Sequence, residues 1–153
     1  MPSGIPSPVE QREFPARLVS LTDVAAFIDD FGSRHGIDPG LVLKVTLVLE
    51  ELVTNTIEHG FGVDSDAPIR IALTSSDAAS VSIDFADTAP PFDPLAHAAR
   101  QPAAVGDPFE ARPVGGLGIH LIGQLASVAR YARDGGHNRL WLTFDSRADS
   151  SPV

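Results

Sequence analysis

The chain has 153 residues, 43% of them hydrophobic, which is enough for one domain with a buried core but too few for two. It carries 11 basic and 20 acidic residues, a formal net charge of −9. This balance argues against a nucleic-acid partner, because phosphate binding needs a basic surface. The lack of cysteine excludes disulfide scaffolds and thiolate metal sites and fits a cytoplasmic protein. We expect no signal peptide and no membrane span.

The two ends of the chain differ in composition from the rest. Residues 1–12 and 147–153 are rich in Pro, Ser and Asp, so we expect disordered tails around a single domain of residues 13–146.

The first half of this domain reads as one strand and two helices. We predict a strand over residues 13–21, then a helix capped by Thr22 that ends near residue 35, where Gly36 is a natural left-handed residue. Asp38 and Pro39 are a cap and a first-turn proline, and they predict a second helix that extends to residue 59.

The second half reads as two hairpins separated by a loop and a helix. Residues 69–75 and 80–85 alternate in polarity, as do 128–134 and 139–144, and a helix is predicted from residue 117 to about 127. The order predicts an α+β fold, a two-layer α/β sandwich whose mostly antiparallel, mixed sheet carries its helices on one face. Residues 95–114 form a long connection, which in so small a domain indicates a lid or binding loop.

The most informative stretch is residues 50–60, where an acid and an amide lie four residues apart on an otherwise apolar helix. Positions i and i+4 share a helix face, so Glu51 and Asn55 point the same way. Glu50 lies about 100° around the helix from Glu51, which leaves Glu51 as the acid on the face of Asn55. A carboxylate beside a carboxamide suits Mg²⁺ or a water near a phosphate, although the same pattern also occurs on solvated helix faces.

Two further motifs follow. Asp87 ends a strand before a turn with two prolines, and a carboxylate fixed there can accept a hydrogen bond from an exocyclic amine such as that of adenine. The alternative is a simple Asx turn. Gly115, Gly116 and Gly118 open a helix, where backbone N–H groups and the helix dipole favour an anion, unless the glycines form only a flexible junction.

In this order, E-x-x-x-N on a helix, D-x-x-x-P-F-D after a strand and G-G-L-G-I at a helix start resemble the nucleotide-binding motifs of the GHKL ATPase superfamily, which has the Bergerat fold. Within it, the forms E-L-V-T-N-T-I-E-H-G and D-x-x-x-P-F-D-P are most similar to single-domain bacterial anti-sigma factor serine kinases. The resemblance extends over roughly residues 14–145.

The resemblance implies ATP and Mg²⁺ as cofactors. Asn55 would coordinate the Mg²⁺ that bridges the ATP phosphates, and Glu51 would be the general base. Asp87 would read the adenine amine, with Ala89 and Phe92 of the same motif also at the nucleotide. Phosphoryl transfer needs mainly positioning and charge neutralisation, so these groups are sufficient for it.

The resemblance also assigns Gly115, Gly116, Leu117 and Gly118 to a lid over the phosphates. His59 matches a histidine that is frequent in these kinases, with either a structural role or a phosphate contact.

Two positions depart from the family pattern. Ala89 stands where these kinases usually have glycine, and its methyl group could crowd the adenine edge. Arg112 is the only nearby cation before Gly115 in the expected lid.

By resemblance, the partners would be an anti-anti-sigma factor of the STAS type, whose serine is phosphorylated, and a sigma factor or other regulator that is held inactive. A homodimer is expected. The alternatives are a nucleotide-binding partner-switch module without kinase turnover and a structural domain with coincidental motifs. A detached histidine-kinase catalytic domain is disfavoured, because we expect no phosphoacceptor helix before the first strand.

Overall fold

The computed structural model of the chain describes residues 9–96 and 117–147, with the backbone alone at position 117. Its strands are β1 (Val9–Pro15), β2 (Pro68–Asp77), β3 (Ser80–Asp87), β4 (Ala126–Asp134) and β5 (His137–Asp145). They form one sheet in the order β1-β2-β3-β5-β4, and every neighbouring pair is antiparallel. Three α-helices of the described residues pack with the sheet, namely α1 (Ser20–His35), α2 (Pro39–Asn55) and α3 (Leu117–Leu125), and a π-helical turn (Thr56–Phe61) follows α2.

The core lies between this sheet and the helices. Alternate residues of the three central strands are buried, because side chains of a strand point to opposite faces in turn. These inward residues are Ile69, Ile71, Leu73, Val81, Ile83, Phe85, Leu140, Leu142 and Phe144. The helices cover them with Val24, Phe27, Ile28, Phe31, Val45, Val48, Leu49 and Leu52. The predicted α+β sandwich with helices on one face is therefore confirmed.

The opposite face of the sheet is covered by charged and aromatic side chains of its own. Trp141 lies between two guanidinium groups, with Arg130 at 4.4 Å and Arg139 at 4.7 Å from its ring centroid. The Nη2 of Arg139 also donates to Asp84 at 2.8 Å. These contacts link β4, β5 and β3 on this face of the sheet.

The first strand was misplaced in the sequence prediction. It is Val9–Pro15 rather than residues 13–21, so it begins inside the segment expected to be a tail. As an edge strand it buries only Phe14, and apolar alternation therefore gives it a weak signature. Its position is held by backbone pairing with β2 and by Glu10, which accepts hydrogen bonds from Arg34 of α1.

The helix ends also differ in part. Helix α1 begins at Ser20, and Val19 rather than Thr22 occupies the cap position. The Ser20 hydroxyl donates to the Pro15 carbonyl at 2.8 Å. Gly36 closes it in the left-handed region, at φ +63°, as predicted. Proline opens α2 as predicted, but the α-helical part of α2 ends at Asn55. No helix in residues 9–96 or 117–147 is long and apolar enough to cross a membrane.

Both predicted hairpins are present. The second has a tight two-residue turn, since Gly135 and Gly136 take φ values of +55° and +80°, the left-handed conformation that such turns need. Consequently β5 begins at His137, and Asn138, predicted as part of the turn, belongs to the strand. The strand β4 likewise begins earlier than predicted, directly after α3.

Candidate functional site

Helix α2 continues into a wider, π-helical turn over Thr56–Phe61. Such turns are rare and often found at functional sites. Here the turn makes two contacts, one with the end of β3 and one with the segment that follows it. The Thr56 hydroxyl donates to Asp87, and the His59 ring stacks on Phe92 with centroids 5.7 Å apart and planes inclined by 15°. The π turn thus joins the E-x-x-x-N helix to the D-x-x-x-P-F-D segment.

Asp87 is the centre of this junction. It ends β3 and is only 5% exposed. Its Oδ1 accepts hydrogen bonds from the backbone N–H of Ala89 at 3.0 Å and from the side-chain amide of Asn138 at 2.8 Å. Its Oδ2 accepts one from Thr56 at 2.8 Å. The buried carboxylate is thereby compensated by three donors, as a buried polar group must be.

Asn138 fixes the turn that follows Asp87. The two residues are directly paired across β3 and β5. The Nδ2 of Asn138 also lies 3.1 Å from each of the carbonyl oxygens of Ala89 and Pro90. Its Oδ1 accepts from the Phe92 N–H at 3.1 Å and from the Tyr131 hydroxyl at 2.5 Å. These partners define which end of the amide is oxygen and which is nitrogen.

A cavity opens beside this network. It is lined by residues of α2, the π turn, β3, the segment after β3, β4 and β5, namely Leu52, Asn55, Thr56, Gly60, Phe85, Asp87, Ala89, Phe92, Pro94, Tyr131, Asn138, Arg139 and Leu140. Its volume is about 20 Å³, which is room for one water molecule. Asn55 of the helix motif and Asp87 of the strand-end motif therefore line the same cavity.

Tyr131 and Arg133 reach this site from β4. Burial raises the pKa of the Tyr131 phenol above its ordinary value. Arg133 donates from its Nη1 to the Ala89 carbonyl at 2.7 Å, so a cation lies at the turn after Asp87. Together they tie β4 to the cavity.

Glu51 lies one helical turn before Asn55, outside the lining of the cavity. It is half-buried, and the start of α3 packs directly on it. A Cβ at Gly118 would lie 2.6 Å from the Cβ of Glu51 and 2.8 Å from the Leu47 carbonyl oxygen. Glycine at this position therefore lets the N-terminal turn of α3 approach the acidic residue of α2.

The side chains at this site could hold Mg²⁺ only together with oxygen atoms of a bound ligand. Mg²⁺ in nucleotide sites is held by one or two protein oxygens together with phosphates and water. The Asn55 carboxamide is such an oxygen ligand. In the described parts of the chain no group of three or more His, Asp and Glu side chains could hold a metal by itself. Asn55 could thus hold Mg²⁺ beside a phosphate chain.

Comparison with known proteins identifies the family. The family model for the histidine kinase-like ATPase domain matches residues 14–144. The chain belongs to the histidine kinase-like ATPase domain family. Within the curated proteins it is similar to the serine/threonine-protein kinase BtrW of Bordetella bronchiseptica, with 26% identity over 144 residues that cover 94% of this chain and 99% of BtrW.

A solved structure agrees with the histidine kinase-like ATPase fold. The crystal structure of the RsbU and RsbW domains of Rv1364c from Mycobacterium tuberculosis matches with a TM-score of 0.60 and 19% identity. The match covers 92% of this chain and 33% of that one, so this chain spans about a third of it. This similarity shows the shared fold.

Four of the residues predicted from the motifs meet at one place in this ATPase fold. Asn55, Asp87, Ala89 and Phe92 all line the cavity. Glu51 and Gly118 are in contact beside it. Gly115, Gly116 and Arg112, predicted for the lid, lie outside the described residues. Leu117 is the first residue of α3.

Sequence reasoning missed four residues of the site: Thr56, Tyr131, Arg133 and Asn138. Their contacts depend on the register of strands that are distant in sequence. The sequence did hold one indication for Asn138. It lies two residues before Leu140 and so shares the buried face of β5 with Leu140, Leu142 and Phe144. A polar residue in a buried phase indicates a specific partner.

Proposed function

We propose that this chain is an ATP- and Mg²⁺-dependent serine protein kinase of the anti-sigma factor type. The observation that carries the proposal is the convergence of Asn55 and Asp87 on one cavity, with Glu51 one helical turn away, in a histidine kinase-like ATPase domain. A relative of nearly the same length that is named as a serine/threonine-protein kinase supports it. The ATP-binding domain is proposed to span residues 13–146.

The proposed roles follow from the chemistry of each group. Asp87 accepts a hydrogen bond from the exocyclic amine of the base, and the Asn55 carboxamide holds Mg²⁺. When bound, Mg²⁺ would neutralise charge on the phosphates. Glu51 accepts the proton of the attacking serine hydroxyl, a step typical of a carboxylate general base. Gly115, Gly116 and Gly118, with Leu117, are proposed for the lid.

The cavity holds about one water molecule as it stands, so we expect its lining to move when the base binds. Phe92 and Pro94 belong to the segment after β3, which precedes residues 97–116 in the sequence. Displacement of such a segment on ligand binding is common in enzymes that close over their substrates.

The proposed partners are a STAS-type anti-anti-sigma factor as phosphate acceptor and a sigma factor or other regulator as the sequestered protein. A homodimer is proposed as the active assembly. The cytoplasm is the compartment in which both partners would be found.

The test is calorimetric titration with ATP, with and without Mg²⁺, combined with transfer of labelled phosphate to a STAS-domain protein from the same genome. Asn55→Ala is expected to lose the Mg²⁺-dependent part of the affinity, about tenfold or more. Glu51→Gln is expected to bind Mg-ATP like wild type but to lose transfer by a factor of about 10² to 10⁴. Glu50→Gln, on another face of the same helix, is the matched control and should keep both.

The second candidate is a nucleotide-binding partner-switch module without turnover. The alanine at position 89 favours it, because its buried methyl group is part of the cavity lining. Tight Mg-ATP binding by wild type, with no phosphate transferred to any STAS-domain protein tested, would select this function. Absence of any adenine-nucleotide binding would contradict both candidates.

A further inference from the structure

The two edges of the sheet differ in their protection against pairing with another strand. In the order β1-β2-β3-β5-β4, the edge strands are β1 and β4. Strand β1 carries Glu10, Arg12, Glu13 and Pro15. Charges and proline are the usual protection of an exposed edge. Strand β4, with nine residues against the seven of β1, has no proline, and its one acidic residue lies next to the turn. The edge at β4 is therefore the less protected one.

The tight turn between β4 and β5 determines which backbone groups of β4 face this edge. The residues that flank a two-residue turn, here Asp134 and His137, form a hydrogen-bonded pair. Hydrogen-bonded and non-hydrogen-bonded pairs then alternate along the ladder. The backbone N–H and C=O groups of Ala129, Tyr131 and Arg133 therefore point away from β5. In the part of the chain that the structure describes, these groups make no backbone hydrogen bond outside the β4–β5 pair.

The first half of β4 is exposed and presents an ordered cation. Residues 127–130 are all exposed, although Val128 is apolar. The guanidinium of Arg130 stacks 4.4 Å from the ring centroid of Trp141. It makes no hydrogen bond or ion pair with any residue that the structure describes. A stacked guanidinium keeps its N–H edge available and loses little freedom when a carboxylate binds it.

A second cation lies three residues further along, on the other face of β4. Arg133 is exposed, and its Nη1 donates to the Ala89 carbonyl at 2.7 Å, which orders the side chain beside the same edge. Strand β4 thus carries one arginine on each face, in a chain whose net charge is −9. Two copies of β4 paired edge to edge would bring four guanidinium groups together. A second copy of the chain is therefore a poor occupant, and an acidic strand is a good one.

We propose that the outer edge of β4 binds an extended acidic segment of a partner protein as an added strand. The segment runs antiparallel to β4 and pairs with the backbone of Ala129, Tyr131 and Arg133. Its carboxylates lie opposite Arg130 and Arg133, three positions apart. In this mode of recognition backbone hydrogen bonds supply the affinity and side chains supply the specificity. The binding needs no nucleotide and is separate from the proposed kinase activity.

The test is a titration of the full-length protein, without nucleotide, with the peptide Thr-Val-Glu-Thr-Val-Glu-Thr-Val, acetylated and amidated at its ends. In the antiparallel register its last valine lies opposite Val128. The emission of Trp141, on which Arg130 stacks, reports binding, and hydrogen exchange followed by NMR locates it. We expect saturable binding and protection of the Ala129 and Tyr131 amides. The same peptide with lysine in place of both glutamates should bind about tenfold more weakly, because it sets like charges beside the arginines.

Two variants and one control separate strand addition from charge attraction. Ala129→Pro removes an N–H that faces solvent, which an edge strand tolerates, and should weaken peptide binding about tenfold. Ala129→Thr keeps the N–H and should bind like wild type. Arg130→Gln should weaken binding of the glutamate peptide about tenfold and reduce the difference between the two peptides.

The absence of saturable binding at millimolar peptide would overturn the proposal. Equal affinity of wild type and Ala129→Pro, at equal melting temperatures, would also overturn it. If Ala129→Pro melts much lower than wild type, the amide protection in wild type and the effect of Arg130→Gln decide. Protection of the Ala129 and Tyr131 amides before peptide is added would overturn the partner, because the chain itself would cover this edge. Protection that rises with protein concentration would do the same in favour of a second copy.

Discussion

A Cβ at Gly60 would lie 2.7 Å from the Cβ of Ala89, a distance at which one of the two must move. Ala89 is 1% exposed, so its methyl group packs on the π turn at the point where that turn has no side chain. The alanine that departs from the expected glycine is therefore matched by a glycine on the facing segment.

We predict that Gly60→Ala destabilises the protein by about 1–3 kcal/mol, the usual cost of overpacking. In the background of Ala89→Gly the same substitution should cost much less, because the methyl group that it meets is gone. Chemical denaturation of the two single variants and the double variant gives the coupling energy. Strictly additive effects would show that the two positions are independent.

Gly118 offers a second test of close packing. A methyl group there would meet Glu51 and the Leu47 carbonyl, and α3 would be displaced from α2. We expect Gly118→Ala to destabilise by about 1–3 kcal/mol and to weaken Mg-ATP binding. Gly123→Ala on the same helix is the control, because a Cβ at Gly123 has no neighbour within 4 Å and alanine favours helices. Equal melting temperatures for the two variants would contradict the contact.

The titration of Tyr131 can be followed directly, since it is the single tyrosine of the chain. Burial raises its pKa above the ordinary 10.0. A raised folded pKa stabilises the protein below pH 10.0, and this contribution is lost as the pH rises through the folded pKa. The phenolate absorbance should have its midpoint above 10.0 in the native protein and near 10.0 in denaturant. A native midpoint at or below the denatured one would show that the phenol is solvated.

At acid pH, the group whose titration changes the stability of the protein is Glu10. The hydrogen bond from Arg34 holds the pKa of Glu10 below its usual 4.5. A lowered folded pKa stabilises the protein above pH 4.5, and the contribution is lost as the pH falls through the folded pKa. Glu10→Gln should lower the free energy of unfolding at pH 7 by about 0.5–1 kcal/mol, because the pair is partly solvated.

As the pH falls below 4.5, the free energy of unfolding of Glu10→Gln should also decrease less than that of wild type. Glu13→Gln, an exposed glutamate on the same strand, is the control. If Glu10→Gln and Glu13→Gln had the same acid unfolding curve, β1 would not be held by the contact with Arg34.

The sequence predicted the layers of this fold because its central strands and helices obey simple periods. Residues 69–75 and 80–85 alternate in polarity, and they lie within β2 and β3. The strand β1 was misplaced because an edge strand with one buried side chain has almost no alternation. The end of α2 at Asn55 could not be predicted, since a helical period does not distinguish an α-helical from a π-helical turn.

Only the site residues that belong to recognisable sequence motifs could be predicted. Asn55 and Asp87 were assigned from local patterns, and both line the cavity. Thr56 looks like any threonine at a helix end, and its bond to Asp87 spans 31 positions. Asn138 lies 51 positions from Asp87, and their contact requires the exact pairing of β3 with β5. Such contacts are set by tertiary register rather than by neighbouring residues.

The location of Trp141 determines what fluorescence can measure in this protein. It is the single tryptophan of the chain, and it lies between Arg130 and Arg139 on the face of the sheet turned away from the helices. Its emission will therefore respond to the separation of β4 from β5 when the sheet unfolds. Nucleotide titrations should use an extrinsic label or a labelled nucleotide, since the natural fluorophore faces the other side of the molecule.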